Sequence, residues 1–356
     1  YNMLIFMCLI KNKVIYRMNI NDFDYSLPSN CIAQFPKNQR SDSKLLVINR
    51  LTDQLINEKF FNIDRYISPN DLIIINDTKV IPARIQGNRK NTKGKVEIFI
   101  ERILSATSAQ CQLKSTRKLR KGDIIIVGNK IEIRLEENSN TLPKIEILNS
   151  SIKKLLSEFG SIPLPPYITR AADEFDKEYY QTIFAENDGS VAAPTASLHF
   201  DSQVIKRLEE KKVNICNLTL HIGMGTFSAI KTQYVEDHIM HSELYSIPKK
   251  TIEQIKKCKE KNGKVIAVGT TVARALESFN YNNNKTDTFY ETSIFIKPGY
   301  KFKIVDHLIT NFHLPKSSLL IMIAAFYNKN KILEAYDYAK KNDYKFFSYG
   351  DSTLIL

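Results

Sequence analysis

The chain has 356 residues, of which 43% are hydrophobic and 25% charged, a composition typical of a globular protein with one large or two smaller domains. Its formal net charge of +13 favours a polyanionic partner such as nucleic acid, although heavy use of Lys, Asn and Ile is also what an AT-rich genome produces. Five widely spaced cysteines without a CxxC pair argue against a zinc knuckle or a disulfide framework. This cysteine usage predicts a cytoplasmic protein.

Residues 1–17 are interpreted as an upstream extension that is not native, with Met18 as the favoured start. Residues 2–10 are mostly apolar, but lysines follow the run and no small-residue cleavage site is present, so a signal peptide is not predicted. The run is too short to span a bilayer, and so is a second one at 319–327, which is expected to form a buried helix. No membrane association is predicted.

The pattern of predicted secondary structure differs between successive segments of the chain. The first predicted strands are 45–49, 55–61 and 72–75, and the last is a continuous apolar run expected to be buried on both faces. Between about 80 and 149 only short strands are predicted, with Gly128-Asn129 in a hairpin position. These strands are 95–104, 123–127, 131–135 and 144–148.

From about 150 onward, helices and strands alternate, which predicts an α/β layer with parallel strand pairs. The fold class expected is therefore α/β: a discontinuous α/β catalytic domain (18–79 and 150–356) with an inserted small all-β barrel domain (80–149). The predicted helices are 151–159, 203–212, 249–261, 271–278, 317–327 and 331–341, and the predicted strands are 213–222, 264–268 and 293–296. Gly263 is expected to provide a left-handed helix cap.

Two segments allow more than one interpretation. The loop 114–121 carries five basic residues within eight positions, and is either a solvated hairpin or a contact for an RNA backbone. The proline-rich stretch 162–167 is stiff and extended, and is expected to be a hinge or a rigid wall.

Candidate chemistry is concentrated between Gly189 and Glu243, where four of the six histidines lie among small residues, hydroxyls and carboxylates. Imidazoles and carboxylates can move protons near neutral pH. His199 is either a buried, hydrogen-bonded histidine or a functional one. His238 and His241 are three residues apart, which would place them on one face of a helix, but no third zinc ligand is evident and no metal is predicted.

Residues 265–274 are predicted to be a strand, a tight turn at Gly269 and a helix start. Thr270 and Thr271 could cap the helix, whose free amides favour a carboxylate or phosphate, and Arg274 could clamp that anion. The segment is neither a P-loop nor a G-x-G-x-x-G loop. An ordinary capped helix is the alternative.

Several motifs along the chain resemble those of the S-adenosylmethionine:tRNA ribosyltransferase-isomerase family of queuosine biosynthesis. Residues 189–200 resemble its GSVAAPTAGLHF block, 221–227 its HVGLGTF block, 237–243 its EHxMHSE motif and 267–278 its AVGTTSVRxLES motif. Further matches lie at 32–36, 70–85, 310–320 and 346–355. Ser197 stands where the family motif has Gly, and its Cβ is expected to crowd a ligand.

The resemblance implies transfer and isomerisation of the ribosyl part of S-adenosylmethionine onto the 7-aminomethyl-7-deazaguanine wobble base of tRNA. Epoxyqueuosine-tRNA, adenine and methionine are the implied products. S-adenosylmethionine would be a co-substrate, the anticodon region of tRNA the partner, and no metal or obligate protein partner is implied. The resemblance also implies a bacterial, monomeric enzyme and an α/β domain that carries a β-barrel.

Such chemistry needs a base that removes a proton from the 5′-CH₂ beside the sulfonium, and a His or Glu sheltered from water is suited to it. The candidate catalytic residues are His199, His241 and Glu243. The candidate substrate-binding residues are Asn76, Asp77, Thr78, Arg84, Thr270, Thr271, Arg274, Asn311, His313 and Asp351. Their roles are inferred from residue type and position within the motifs.

Two other functions are compatible with parts of the sequence. One is a different S-adenosylmethionine-dependent RNA enzyme, such as a methyltransferase, although a Gly-rich Rossmann loop is missing from the sequence. The other is a non-catalytic RNA-binding protein, which the near-complete polar motifs disfavour.

Overall fold

The computed structural model describes residues 17–137, 142–227, 229–281 and 284–356. The extension predicted for residues 1–17 therefore lies, except for Arg17, outside the described residues. Met18 is held firmly, since its carbonyl accepts a hydrogen bond from the Val235 N–H at 2.9 Å. Among the described residues, no helix is both long and apolar enough to cross a lipid bilayer.

Eighteen strands are formed within the described ranges. They are β1 Lys44–Ile48, β2 Leu55–Lys59, β3 Leu72–Asn76, β4 Thr78–Val80, β5 Arg84–Arg89, β6 Lys95–Ile103, β7 Ser108–Ser115, β8 Ile124–Val127, β9 Ile131–Glu137, β10 Lys144–Ile147, β11 Gly160–Ser161, β12 Asn187–Ser190, β13 Asn214–His221, β14 Glu243–Ser246, β15 Val265–Val268, β16 Tyr290–Thr292, β17 His307–Asn311 and β18 Ser352–Ile355.

Seven α-helices accompany these strands in the described part of the chain. They are α1 Ile152–Phe159, α2 Glu174–Tyr179, α3 Ser202–Glu210, α4 Lys249–Glu260, α5 Thr270–Ser278, α6 Ser318–Phe326 and α7 Lys329–Lys341. The apolar run at 319–327 is the buried helix α6, as predicted.

A nine-stranded sheet with the order β16-β14-β13-β3-β15-β17-β18-β1-β2 forms the larger layer. Its four central strands, β13, β3, β15 and β17, are parallel, which confirms the parallel pairs predicted from the α/β alternation. Successive residues of β3 pack into two cores: Leu72 and Ile74 face the core formed with α4–α7, while Ile73 and Ile75 face the one that contains α3. This explains the continuous apolar run, since β3 is buried on both faces.

The second sheet has the order β11-β5-β6-β7-β10-β9-β8, and β8 also pairs with β5, so the strand order returns on itself. It surrounds a separate apolar core, which α1 joins through Ile152, Leu155 and Leu156. Gly128 and Asn129 both have positive φ, 57° each, between β8 and β9. Positive φ at both central residues is typical of a type I′ turn, and β8 and β9 form the hairpin that was predicted at this position.

Several local predictions are wrong. Residues 293–296 are not a strand; the edge strand of the large sheet is β16, three residues earlier. The left-handed residue after α4 is Asn262, with φ 56°, and not Gly263. Gly263 is needed for a different reason, because an added Cβ there would lie 2.0 Å from the carbonyl oxygen of Asn70.

Candidate active-site cleft

The carboxyl ends of the parallel strands β13, β15 and β17 meet at one edge of the large sheet. Because β18 runs antiparallel to β17, its amino end brings the loop 346–351 to the same edge. A cleft with an empty volume of about 620 Å³ opens there, where ligand sites of open α/β sheets are found. It is lined by Tyr167, Ala192, Ala193, Pro194, Thr195, Ala196, Ile222, Thr226, Gly269, Thr270, Thr271, Thr310, Asn311, Phe312, His313, Leu314, Ser317, Leu319, Phe347 and Ser348.

The first turn of α5 forms one wall of the cleft. Gly269 makes the turn with φ 98°, a value that side chains other than glycine rarely adopt. Gly269 is also the N-cap and no side chain caps the helix, so the predicted capping by Thr270 and Thr271 is wrong. The Thr271 hydroxyl lines the cleft, is buried and has no hydrogen-bond partner among the described residues. The turn therefore offers free amides and a free hydroxyl at the positive end of a helix dipole.

Arg274 does not reach this cleft. Its guanidinium forms a buried ion pair with Glu243, and both side chains are about 95% buried. Glu243 neutralises the charge of Arg274, whereas the Nη2 atom of Arg274 is buried without a hydrogen-bond partner among the described residues, so the anion clamp stays a prediction. Glu243 is equally engaged, since its other oxygen accepts hydrogen bonds from the Gly223 N–H and the Thr226 hydroxyl, each at 3.2 Å. The pair fastens the loop 223–227 to α5 and so fixes one rim of the cleft.

A second carboxylate holds the same loop, and no sequence motif indicated it. Glu101 lies on β6 of the second sheet and accepts a hydrogen bond from the Met224 N–H at 3.2 Å and one from Gln112 at 2.6 Å. Burial raises the pKa of Glu101. The Met224 side chain packs against the core of the second sheet. The rim of the cleft is thus attached to both sheets.

His199 supports the floor of the cleft through Asn311. The Asn311 amide nitrogen donates to the Phe347 carbonyl at 3.1 Å, and therefore also donates to Nε2 of His199 at 3.0 Å. Nδ1 of His199 must then carry the proton, which it donates to the Ser43 hydroxyl at 2.8 Å. Burial lowers the pKa of His199 to about 3, so the ring is neutral. With both ring nitrogens occupied, the geometry favours a positioning role for His199 over proton transfer.

His313 lines the cleft itself, two residues after the end of β17. Its Nε2 is 2.9 Å from the Thr310 hydroxyl, and its backbone N–H donates to the Tyr336 hydroxyl at 3.1 Å. Burial lowers the pKa of His313 to about 3, so this imidazole is also neutral at pH 7. A neutral ring can accept a proton or a hydrogen bond from a ligand in the cleft.

Three predicted ligand-binding residues at the end of β3 bind the protein's own chain. Asn76 donates to the Leu220 carbonyl and accepts from the Leu220 N–H, both at 2.9 Å. Asp77 accepts a hydrogen bond from the Thr219 hydroxyl at 2.7 Å, and the Thr78 hydroxyl lies 2.8 Å from Nδ1 of His221. None of these three residues lines the cleft. They fasten the end of β3 to β13.

Asp351 and Arg84 are also outside the cleft lining. Asp351 is buried and accepts hydrogen bonds from the backbone N–H groups of Lys44 and Lys345, each at 2.7 Å. It thereby joins the starts of β1 and β18. Arg84 lies on β5 in the second sheet.

His241 and Ser197 complete the set of predicted residues. His241 is exposed at the rim, where a Cβ added to Gly225 would lie 2.1 Å from its ring, so the glycine permits their contact. The segment that carries His238 and His241 is not helical, which removes the shared helix face on which a zinc site was considered. Within the described residues no three His, Cys, Asp or Glu side chains form a group that could hold a metal ion. Ser197 is buried outside the cleft lining, so its Cβ does not narrow this cleft.

Several lining residues were not singled out from the sequence. Tyr167 closes the cleft from the proline-rich stretch, and its hydroxyl is hydrogen-bonded to Ser348 at 2.7 Å. Its ring packs on Phe347 with a centroid distance of 4.6 Å. Of the two predictions for this stretch, the rigid wall is the one that this packing favours.

The fold and cleft are those of a small-molecule-binding α/β protein, with a helix N-terminus that lines the cleft and neutral imidazoles at the carboxyl edge of a parallel sheet. The family described as queuosine biosynthesis protein matches residues 20–355. The chain therefore belongs to this family.

Relatives and a solved structure agree with this assignment. The chain is 44% identical to the S-adenosylmethionine:tRNA ribosyltransferase-isomerase of Sulfurihydrogenibium sp. over 339 residues, 95% of this chain and 100% of that protein. It is 44% identical to the protein of the same name from Nitrosomonas europaea, covering 96% and 98% of the two chains. The crystal structure of S-adenosylmethionine tRNA ribosyltransferase from Thermotoga maritima matches with a TM-score of 0.53 and 30% identity, over 94% of this chain and 100% of that one.

Proposed function

We propose that the cleft at the carboxyl edge of the large sheet binds S-adenosylmethionine and that the chain is an S-adenosylmethionine:tRNA ribosyltransferase-isomerase. It transfers and isomerises the ribosyl moiety onto the 7-aminomethyl-7-deazaguanine wobble base of tRNA, with release of adenine and methionine. Membership of the family and near-complete coverage of relatives with this name support the reaction. The observation that carries the location is the unpartnered Thr271 hydroxyl in the first turn of α5.

The first turn of α5 receives the methionine carboxylate. Its free amides and the Thr271 hydroxyl are hydrogen-bond donors, and the helix dipole favours a negative charge there. Thr270 lies beside Thr271 in the same turn and also lines the cleft. Charged acceptors form the stronger hydrogen bonds, so this turn supplies a large share of the binding energy of the methionine end.

Proton abstraction from the 5′-CH₂ is assigned to His313. It is the one imidazole among the cleft-lining side chains that the structure describes, and its Nε2 lies 2.9 Å from the Thr310 hydroxyl. The residues predicted as catalytic act around it: His199 orients Asn311, Glu243 holds the loop 223–227, and His241 at the rim is the second candidate acceptor. No metal takes part in this proposal.

The tRNA anticodon region approaches the same edge, and the second sheet offers it positive charge. All five basic residues of the loop 114–121 are exposed. Exposed Lys and Arg side chains bind phosphates and release counterions. We propose that strands β5–β10 of the second sheet are the inserted barrel domain predicted at 80–149, to which α1 and β11 are added from beyond that range. We also propose that the protein acts in the cytoplasm as a monomer.

The reaction is tested by incubating the protein with S-adenosylmethionine and tRNA that contains 7-aminomethyl-7-deazaguanine. The expected result is a gain in nucleoside mass that corresponds to epoxyqueuosine, with adenine and methionine released in equal amounts. Transfer of a methyl group with release of S-adenosylhomocysteine would contradict the proposal.

The location is tested with Thr271→Val, which removes the hydroxyl and keeps the shape. The KM for S-adenosylmethionine should rise about tenfold or more, because a hydrogen bond to a charged group is worth about 1.5–3 kcal/mol. The free energy of unfolding without ligand should not fall, since the lost hydroxyl has no partner in the protein. An unchanged KM would place the methionine carboxylate elsewhere.

A further inference from the structure

A second cavity lies behind the cleft and has no role in the reaction as described so far. Its empty volume is about 300 Å³, and Ser348 lines both cavities. Lys37, Arg40, Tyr179 and His199 are also part of its lining. Because His199 is hydrogen-bonded to Asn311 of the cleft at 3.0 Å, only a thin wall separates the two cavities.

Arg40 is a half-buried cation without a carboxylate partner. Its guanidinium donates to the carbonyls of Glu178 at 3.1 Å and Leu198 at 3.4 Å, and no carboxylate of the described residues lies within ion-pair distance. Two of its five N–H groups are thus used by neutral acceptors, which leaves three free (five minus two). Burial lowers the pKa of Arg40, and the charges of Glu178 and Asp201 oppose this shift only in part.

Lys37 adds a second positive charge at the mouth of the cavity. It is exposed and has no ion pair within the described ranges. The acid that interacts with it is Asp351, which is 1% exposed and already accepts two backbone N–H groups. The cavity therefore presents two cations to a ligand, and the carboxylate of Asp351 is shielded by burial and by its two backbone N–H donors.

An exposed aromatic ring lies directly beside these cations in the sequence. Phe35 precedes Pro36 of the cavity lining, and 64% of its surface is exposed. The Arg170 guanidinium covers one part of the ring at 4.5 Å from the centroid, and Arg170 is held by the buried carboxylate of Asp176. Sites for single-stranded nucleic acid commonly combine two features. Cationic side chains bind the phosphates, and an exposed aromatic ring beside them stacks on a base.

We propose that this second cavity binds a phosphodiester group of the tRNA strand that flanks the reacting nucleotide. Lys37 and Arg40 bind the phosphate, and Phe35 stacks on the adjoining base. The shared wall at Ser348 lets one strand place a base in the cleft and its neighbouring phosphate in the cavity. The inference rests on the proposed function for the identity of the RNA.

The test compares tRNA affinity over a salt series for four variants: Lys37→Ala, Arg40→Lys, Phe35→Ala and the control Lys261→Ala. Lys261 is an exposed lysine that follows α4 and precedes β15, so it lies at the opposite edge of the sheet. Lys37→Ala should weaken binding several-fold and make the slope of log K against log[salt] shallower by about 0.7, the value for one phosphate of a single strand.

The other variants separate charge from geometry. Arg40→Lys keeps the charge but loses the planar fork, so affinity should fall with the slope unchanged. Phe35→Ala should also weaken binding without a change in slope, and Lys261→Ala should change neither quantity. The proposal would be overturned if Lys37→Ala and Lys261→Ala had the same tRNA affinity and the same slope of log K against log[salt].

Inorganic phosphate distinguishes an RNA site from a site for a free anion. Phosphate should inhibit tRNA binding competitively in the wild-type protein and much less in Lys37→Ala. Phosphate that binds at the cavity without displacing tRNA would mean a free-anion site and would refute the RNA assignment. Adenine release by the wild-type protein is measured in parallel, so a failure of the proposed reaction is distinguished from a failure of this site.

Discussion

Two pairs of parallel strands end at the same edge of the large sheet, yet their polar residues are used differently. At the ends of β3 and β13, Asn76, Asp77 and Thr78 are fully occupied by hydrogen bonds within the protein. At the ends of β15 and β17, the Thr271 hydroxyl is free and His313 faces a cleft. A polar residue at the carboxyl end of a strand is therefore a ligand candidate only if neighbouring chain segments leave it unoccupied.

The largest expected effect contrasts two histidines, one from each pair of strands. His313→Ala should lower kcat about 10²- to 10⁴-fold, the range for loss of a positioned acid or base. His221→Ala, at the end of β13, should stay within a few-fold of wild type because the His221 side chain contacts Thr78 and not the cleft. A larger loss of kcat in His221→Ala than in His313→Ala would mean that the proton acceptor lies at the ends of β3 and β13.

A smaller effect is expected from the matched asparagines. Asn76→Ala should lower the free energy of unfolding by about 1–3 kcal/mol, because it leaves the buried N–H and carbonyl of Leu220 without partners. The KM of the variant for S-adenosylmethionine should not change. Asn311→Ala should raise this KM, since Asn311 lines the cleft and orients its floor. Urea unfolding and steady-state kinetics check both, and equal KM changes would remove the distinction between the two strand ends.

The smallest expected effect is a pH dependence of stability that comes from the β17 side. Burial lowers the pKa of His199 and of His313 to about 3 from the ordinary 6.5. The unfolded chain then binds more protons between these values, so stability is full above pH 6.5 and falls as the pH decreases towards 3. Each histidine should remove about 1 kcal/mol between pH 7.5 and 5.5.

Urea unfolding at pH 7.5, 6.5 and 5.5 measures this slope. His199→Asn and His313→Asn should each make it shallower, because each variant lacks one buried imidazole. A slope that is the same in both variants and in the wild type would show that neither ring is buried in its neutral form.

Much of the architecture could be predicted because it depends on local patterns. The apolar run of β3, the buried helix α6 and the hairpin at Gly128-Asn129 each carry their signal in a few adjacent residues. Several short strands of the large sheet had no such signal: β14, β17 and β18 were missed, and the edge strand β16 was displaced. Such short strands are defined mainly by their partners across the sheet.

For the site, the sequence determined the residue types and the strand and helix ends at which they lie, including Thr271, Asn311 and His313. Only the tertiary structure decided which of them remain available to a ligand. In the folded chain Arg274 forms an ion pair with Glu243, and Asp351 accepts hydrogen bonds from two backbone amides. His199 is hydrogen-bonded to Asn311, and Glu101 reaches the cleft rim from the second sheet. The physical reason is that buried polar groups must find partners, and those partners are up to 307 positions away in the chain.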